Sequence, residues 1–391
     1  MTELVYIALV FALFVIPRIL QHWRIPRAIT NLALGAGAGM GFHLFHGDAT
    51  VSLFATLGIS TLFLFAGLEV RFDELVEGRQ VLVQHVAIRL AMIGAAAWAA
   101  TGLLGLDARP AVVLALALLT PSAGFILESL RGFGLAADQV FWVRSKTIAT
   151  EIVSLLVLFF VLQSSSPLRF VAGTAALVAM VLVLPALFRA FAAWIVPIAP
   201  KSEFAFLVMV TIGSAYVTRQ LGAYYLVGAF VVGIVAQRFR ERLPAVASEE
   251  MLHAVDVFAS FFIPFYFFSA GLHLTPEQFS WQSLALGLLF FVVVVPVRVA
   301  SIAIHRRLSL GEPLRDGWRV GASLTPTLVF TLVTAEILRD EFAVSPVVFG
   351  GLVVYTLLNT LVPAVVLRAP EPQYDDLVLP GVPQLETDQA H

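Results

Sequence analysis

With 391 residues of which 59% are hydrophobic and 13% charged, and a mean hydropathy of +0.92, the chain carries more apolar surface than a soluble fold can hide. Its solvent is lipid. A net charge of -2 and pI about 6.5 exclude nucleic acid as a partner, and zero Cys excludes disulfides, thiolate metal sites and thiol catalysis.

Apolar runs of about 20 residues, the length that crosses a hydrocarbon core, predict an all-α polytopic membrane protein of about thirteen helices. They lie near 4–21, 27–46, 50–70, 81–105, 110–130, 140–163, 168–188, 203–219, 222–238, 252–273, 282–304, 317–338 and 343–367. Short turns rich in Gly, Pro and charge separate them, so 1–367 reads as a single transporter domain. The first run follows one acid, Glu3, with no basic segment or cleavage site, and reads as a retained span. Alternating the loops puts 16 of the 24 Lys+Arg on one side and four on the other, with Arg89, Arg144, Lys146 and Arg298 inside spans. The basic side is then cytoplasmic, with the N-terminus outside and the C-terminus within. The polar tail, 368–391, is expected to be an unstructured cytoplasmic segment.

The third span ends Phe63-Leu64-Phe65-Ala66-Gly67-Leu68-Glu69 and the tenth ends Phe267-Phe268-Ser269-Ala270-Gly271-Leu272-His273, an offset of 204 residues. Leu119-Thr120-Pro121 in the fifth span recurs as Leu324-Thr325-Pro326 in the twelfth, an offset of 205. Each pair lies seven spans apart, so the copies cross in opposite directions. This predicts inverted repeats over about 27–163 and 222–367, with a substrate site at mid-membrane where discontinuous helices meet. A mid-span proline removes a donor and clashes with the carbonyl four residues back, so Pro121 and Pro326 are expected to break their helices. Thr120, Ser122, Thr325 and Thr327 supply hydroxyls for the freed backbone groups.

Glu151 lies among apolar residues in the sixth span, roughly 12 to 16 Å from the near surface at 1.5 Å per residue. An intramembrane carboxyl must face protein or water, and there it can hold a proton or a cation by turns. The bland alternative is a structural ion pair with Arg144 or Lys146. Arg298, the only charge in the eleventh span, keeps its proton and so is electrostatic: it offsets the negative ends of broken half-helices or pairs with Glu151. Arg89 roughly mirrors Arg298 in the repeat, with helix packing as its only evident role. Glu69, Asp73, Glu74, Glu77 and Glu128 sit at span ends or in loops, and no pair of histidines has metal-ligand spacing. No cofactor is expected.

In these residues the chain resembles the monovalent cation:proton antiporter-2 family, which includes Kef-type potassium efflux proteins and bacterial sodium/proton exchangers. The resemblance covers nearly the whole chain. It rests on Phe63 to Glu69, on Gly228-Ala229-Phe230-Val231-Val232-Gly233, and on Pro264-Phe265-Tyr266-Phe267-Phe268 leading to Gly271-Leu272. It implies the sodium/proton antiporter fold: a dimerisation domain, a core domain with two broken helices crossing at the ion site, elevator-like alternating access, and a homodimer. The lack of a transit peptide favours a bacterial inner membrane. Arg298 matches the family's Lys or Arg. Thr150-Glu151 stands where the family has Asp-Asp or Asn-Asp, making Thr150 and Glu151 the ion- and proton-binding pair. Thr325-Pro326-Thr327-Leu328-Val329-Phe330 replaces a segment that is often acidic, and the regulatory nucleotide-binding domain of Kef-type members is absent.

The resulting expectation is a secondary transporter, not an enzyme, that exchanges Na+ or K+ for H+ through Glu151, electroneutrally. Two other readings remain: an anion carrier on the same inverted-repeat fold, using Arg298 and helix N-termini, and a transport-dead paralogue. A polytopic protease or transferase would need a Gly-x-Gly-Asp, His-Glu-x-x-His or Ser/His constellation, and none is present.

Overall fold

The computed structural model describes residues 3–23, 25–200, 202–221, 225–240 and 249–367. The expected polar tail, 368–391, lies outside the described residues. The first spans are α1 (Glu3–Gln21), α2 (Arg27–Ala36, extended by a π turn over Gly37–Gly41) and α3 (Ala49–Leu68). A short α4 (Phe72–Glu77) leads to α5 (Arg79–Leu104) and to the pair α6 (Ala108–Leu119) and α7 (Ala123–Ser129). Then come α8 (Ala137–Gln163), α9 (Pro167–Trp194), α10 (Glu203–Gln220), α11 (Tyr225–Arg240) and α12 (Glu249–Leu272). The chain closes with α13 (Trp281–Leu310), the pair α14 (Leu314–Ser323) and α15 (Leu328–Asp340), and α16 (Pro346–Val366).

Among the described residues nine spans are long and apolar enough to cross a membrane, with α6–α7 running through as one, and the bent pair α14–α15 makes a tenth. The shorter α2, α10 and α11 account for the remaining expected segments, so each of the thirteen falls on a helix or a helix pair. Only α4 was not anticipated. Helix ends follow local chemistry: the Asp48 side chain accepts from Thr50 N–H and Val51 N–H at the start of α3, and Ser166 and Ser280 do the same for α9 and α13. α5 and α13 both stop at a left-handed glycine, Gly105 (φ 64°) and Gly311 (φ 69°).

The outer helices are apolar on their free faces. In α1 and α9 only 17% of the most apolar stretch is buried, and Leu4, Phe11, Leu168, Leu182 and Trp194 stand exposed, as lipid contact requires. The interior is held by helix crossings at glycine. Gly67 of α3 sits on the Phe230 backbone and Gly233 of α11 on that of Leu64. Gly271 of α12 sits in the same way on Leu32, and Gly35 of α2 on Phe268. The two crossings are copies. Residues 64 and 67 map to 268 and 271 at an offset of 204, while residues 32 and 35 map to 230 and 233 at an offset of 198. At the centre, Gly58 of α3 meets Phe262 of α12, its own equivalent at 204, so the pseudo-two-fold axis runs through that contact. Each repeat therefore lends its first helix to the other: α2 packs on α12, and α11 on α3. The fold is an inverted repeat with interlocked halves.

Candidate ion site at the helix crossing

Both Thr-Pro pairs interrupt their spans, and α14 and α15 meet at 52°. Other prolines, at Pro17, Pro185, Pro264, Pro296 and Pro363, lie inside unbroken helices. Here the freed backbone groups have found partners across the repeat. Ser122 N–H donates to the Pro326 carbonyl at 2.9 Å, joining one break directly to the other. The Ser122 hydroxyl accepts from Val329 N–H (3.0 Å) and Phe330 N–H (3.2 Å), so a side chain at the first break caps the half-helix beyond the second.

The other hydroxyls join the same crossing. Thr120 donates to Ser154 of α8 at 2.9 Å, and Thr325 donates to the Ala322 and Asn359 carbonyls. Thr331, one turn into α15, donates to Ala117 of α6 at 2.7 Å. All of these side chains are buried.

Arg298 is wholly buried and does not snorkel. Its Nη1 donates to Thr325 O (2.9 Å), Leu118 O (3.3 Å) and the Tyr355 hydroxyl (3.0 Å), and its Nη2 to Leu324 O (2.7 Å). These carbonyls end α6 and α14. One guanidinium thus faces two helix C-termini, each worth roughly half a negative charge. Tyr355 completes the cap by donating to Leu118 O at 2.6 Å.

Glu151 stands fourteen residues into α8, about 21 Å from its start. It is the only buried acid among the described residues. Its carboxyl accepts the backbone N–H of Ala123, the first residue of α7, while its Oε2 has no hydrogen-bond partner. Neither basic neighbour on its helix is paired with it. Arg144 turns to Glu74 (3.3 Å) and Glu69 (3.9 Å), and Lys146 to His305.

Thr150 is adjacent in sequence but faces elsewhere. Its hydroxyl donates to Lys146 O (2.7 Å), and its oxygen lies 3.0 Å from His85 Nε2 on α5. The residue that shares Glu151's face is Thr147, one turn earlier, whose buried Oγ1 also lacks a partner. Helical spacing alone could have nominated Thr147, since i and i+4 lie together on one face.

Sequence reasoning also missed Asn359 of α16. It is fully buried, accepts Thr327 N–H at 3.2 Å and donates to the Thr327 hydroxyl at 2.9 Å. At the offset of 205 that aligns the Thr-Pro pairs, Asn359 maps to Ser154, and each accepts the hydroxyl of its own break, Thr325 and Thr120. Glu151 maps to Thr356, whose hydroxyl lies 3.2 Å from that of Thr327, so the repeat carries an acid in one half and a neutral hydroxyl in the other.

Inverted repeats, two crossed broken helices, a buried cation on the converging C-termini and a half-satisfied carboxyl beside them define a secondary ion transporter. The sequence profile described as "Sodium/hydrogen exchanger, transmembrane" matches residues 7–370. The chain belongs to the sodium/hydrogen exchanger family and with it to the cation:proton antiporters. No curated protein matches it in sequence. Among solved structures, it is similar in fold to the sodium proton antiporter MjNhaP1 from Methanocaldococcus jannaschii, determined at pH 8. The TM-score is 0.69 at 13% identity, covering 94% of this chain and 97% of that one.

Proposed function

We propose that the protein exchanges Na+ or K+ for H+ one for one, with Glu151 as the group that both ions occupy in turn. The observation that carries this is the single buried carboxyl at the crossing, with one oxygen engaged by Ala123 and the other unpartnered. A proton on that oxygen, or a cation bound to it, each neutralises the acid. The two cannot be held together, and that competition is the coupling. Thr147 Oγ1 is a second ligand from the same face, and Thr150 orders α8 through His85.

Arg298 stays charged throughout and holds the helix ends together. Because it is committed to carbonyls, the geometry favours cation exchange over an anion carrier built on Arg298. Since a protonated Glu151 and a cation-bound Glu151 carry the same net charge, the cycle moves none. Membership of the exchanger family and the name of the structurally similar antiporter support Na+ and H+ among these ions.

The wider proposal takes its frame from the sequence: Kef-type ancestry, repeats over 27–163 and 222–367, a homodimer moving as an elevator, and a bacterial inner membrane with the C-terminus inside. The deciding experiment is proton flux in proteoliposomes with a pH-sensitive dye, adding Na+, K+ or Li+. Cation-triggered flux in the wild type, lost in Glu151→Gln, is expected. Wild-type silence with every cation would overturn it in favour of an anion carrier or a transport-dead protein.

A further inference from the structure

The exchange chemistry uses one acid and one arginine, yet the interior holds more cations than it can balance. Among the described residues the buried charged side chains are Glu151 and four cations, Arg89, Lys146, Arg298 and Arg306. Arg298 is matched by the carbonyl ends of α6 and α14. Arg306 is matched by both carboxylate oxygens of Glu312, at 2.7 Å for the Nε bond. Glu151 is held by Ala123 and is paired with none of the four. Arg89 and Lys146 are left over.

The two surplus cations lie near one another. Lys146 on α8 donates to His305 Nδ1 on α13 at 3.1 Å, and His305 Nε2 lies 3.2 Å from Gln84 Oε1 on α5. Gln84 Oε1 is an acceptor, so His305 donates from Nε2 and receives Lys146 at Nδ1 as a neutral ring. It supplies no counter-charge. His85 and Arg89 share the buried face of α5 one turn apart, and the His85 ring lies 6.2 Å from that of His305. Both Lys146 and Arg89 act electrostatically on His85; on Lys146 itself act Arg306, Arg89 and, last in size, the Glu312 carboxylate that is already paired with Arg306. The charge felt by Arg89 itself is that of Arg298, another cation, and no carboxylate acts on it.

Arg89 is 2% exposed and its Nη1 has no acceptor among the described residues, and Arg306, which acts on Lys146, also has an unmatched Nη1. A guanidinium does not discharge, and a buried unpaired ion costs several kcal/mol. An orphaned buried donor of this kind calls for an ion or an ordered water.

We propose that the cluster of His85, Arg89, Lys146 and His305 is a binding site for a small monovalent inorganic anion of halide type. The anion is held between Arg89 and Lys146, ten residues into α5 and nine into α8. It is a resident counter-ion, distinct from the transported cation. Two cations with no acid paired to either set its sign. The apolar residues on the same buried stripe of α5, Leu82 and Ile93, favour a weakly hydrated ion over phosphate or sulfate.

The test is the thermal unfolding of the purified full chain in sodium chloride, sodium bromide and sodium gluconate at equal ionic strength and pH, so that Na+ is constant. A saturable rise of several degrees with either halide over gluconate is expected, lost in Arg89→Gln and in Lys146→Met. Equal wild-type midpoints in halide and gluconate would overturn the site, as would a full halide response in Arg89→Gln. Should the variants fail to fold, anomalous scattering from bromide in wild-type crystals decides. A peak between Arg89 and Lys146 supports the site; a peak elsewhere or none removes it. Neither readout involves transport, so failure here leaves the role of Glu151 standing.

Discussion

Thr147 and Glu151 face the crossing together, each with one oxygen unmatched, and a hydroxyl at that place can ligate a cation but adds no charge. Thr147→Val keeps the shape and removes the ligand. It is expected to raise the KM for the cation several-fold while leaving the unfolding midpoint near wild type, as flux titrations and a thermal melt would show; an unchanged KM removes Thr147 from the site. Asp48 carries a different prediction. The Tyr6 hydroxyl donates to it at 2.5 Å, which, with the Val51 and Thr50 N–H groups, holds its carboxyl below the ordinary carboxylate range. A depressed folded-state pKa stabilises above the unfolded value of about 4 and is lost as pH falls through the folded value. Asp48→Ala should therefore cost about 1 kcal/mol at neutral pH, the usual worth of such a cap, and progressively less as pH falls through the folded value. A cost that does not shrink in acid denies the linkage. At this scale the sequence names Glu151 and Arg298 readily, because charge in an apolar run is conspicuous. Thr147 and Asn359 are quiet, since a threonine or asparagine in a long helix is unremarkable until its neighbours are known.

The helix crossings explain why the glycines of the repeated Ala-Gly-Leu segments stand where they do. A methyl group on Gly271 would overlap the Leu32 carbonyl, and one on Gly67 the Phe230 carbonyl. Gly271→Ala and Gly67→Ala are each expected to destabilise by about 1–3 kcal/mol, the range of overpacked interiors. Gly94→Ala, where nothing lies within 4 Å, should be tolerated. Equal melts for all three would contradict the close approach. The echo at 204 was legible because α3 and α12 share four of the seven letters, the run Ala-Gly-Leu among them. Its counterpart at 198 was not, because Gly233 and Gly271 are 38 residues apart while Gly35 and Gly67 are 32 apart. That inserted stretch hides the second alignment. The thirteen spans were readable from apolar length alone, whereas α4 is too short to leave such a trace.

For the whole molecule, the acid in one repeat and the hydroxyl in the other make the transport cycle lopsided in charge chemistry though the backbone is nearly two-fold. Thr356 carries no charge to exchange, so only one half of the crossing exchanges ions, and one carboxyl can release one proton. Proteoliposomes clamped with valinomycin and K+ should therefore show Na+-driven proton flux at the same rate at zero and at imposed potential. A rate that follows the potential would require a second charge in the cycle.

The interlocking of the halves also governs how the protein is made. Gly67 finds its partner only when Gly233 has been synthesised, about 170 residues later, which at roughly 5–20 residues per second is some 8–35 s. For that time and longer the first repeat waits in the bilayer with Ser122 of its break lacking Pro326, Val329 and Phe330. Biogenesis thus passes through a half-built chain whose survival depends on whatever shields that break until the later helices arrive.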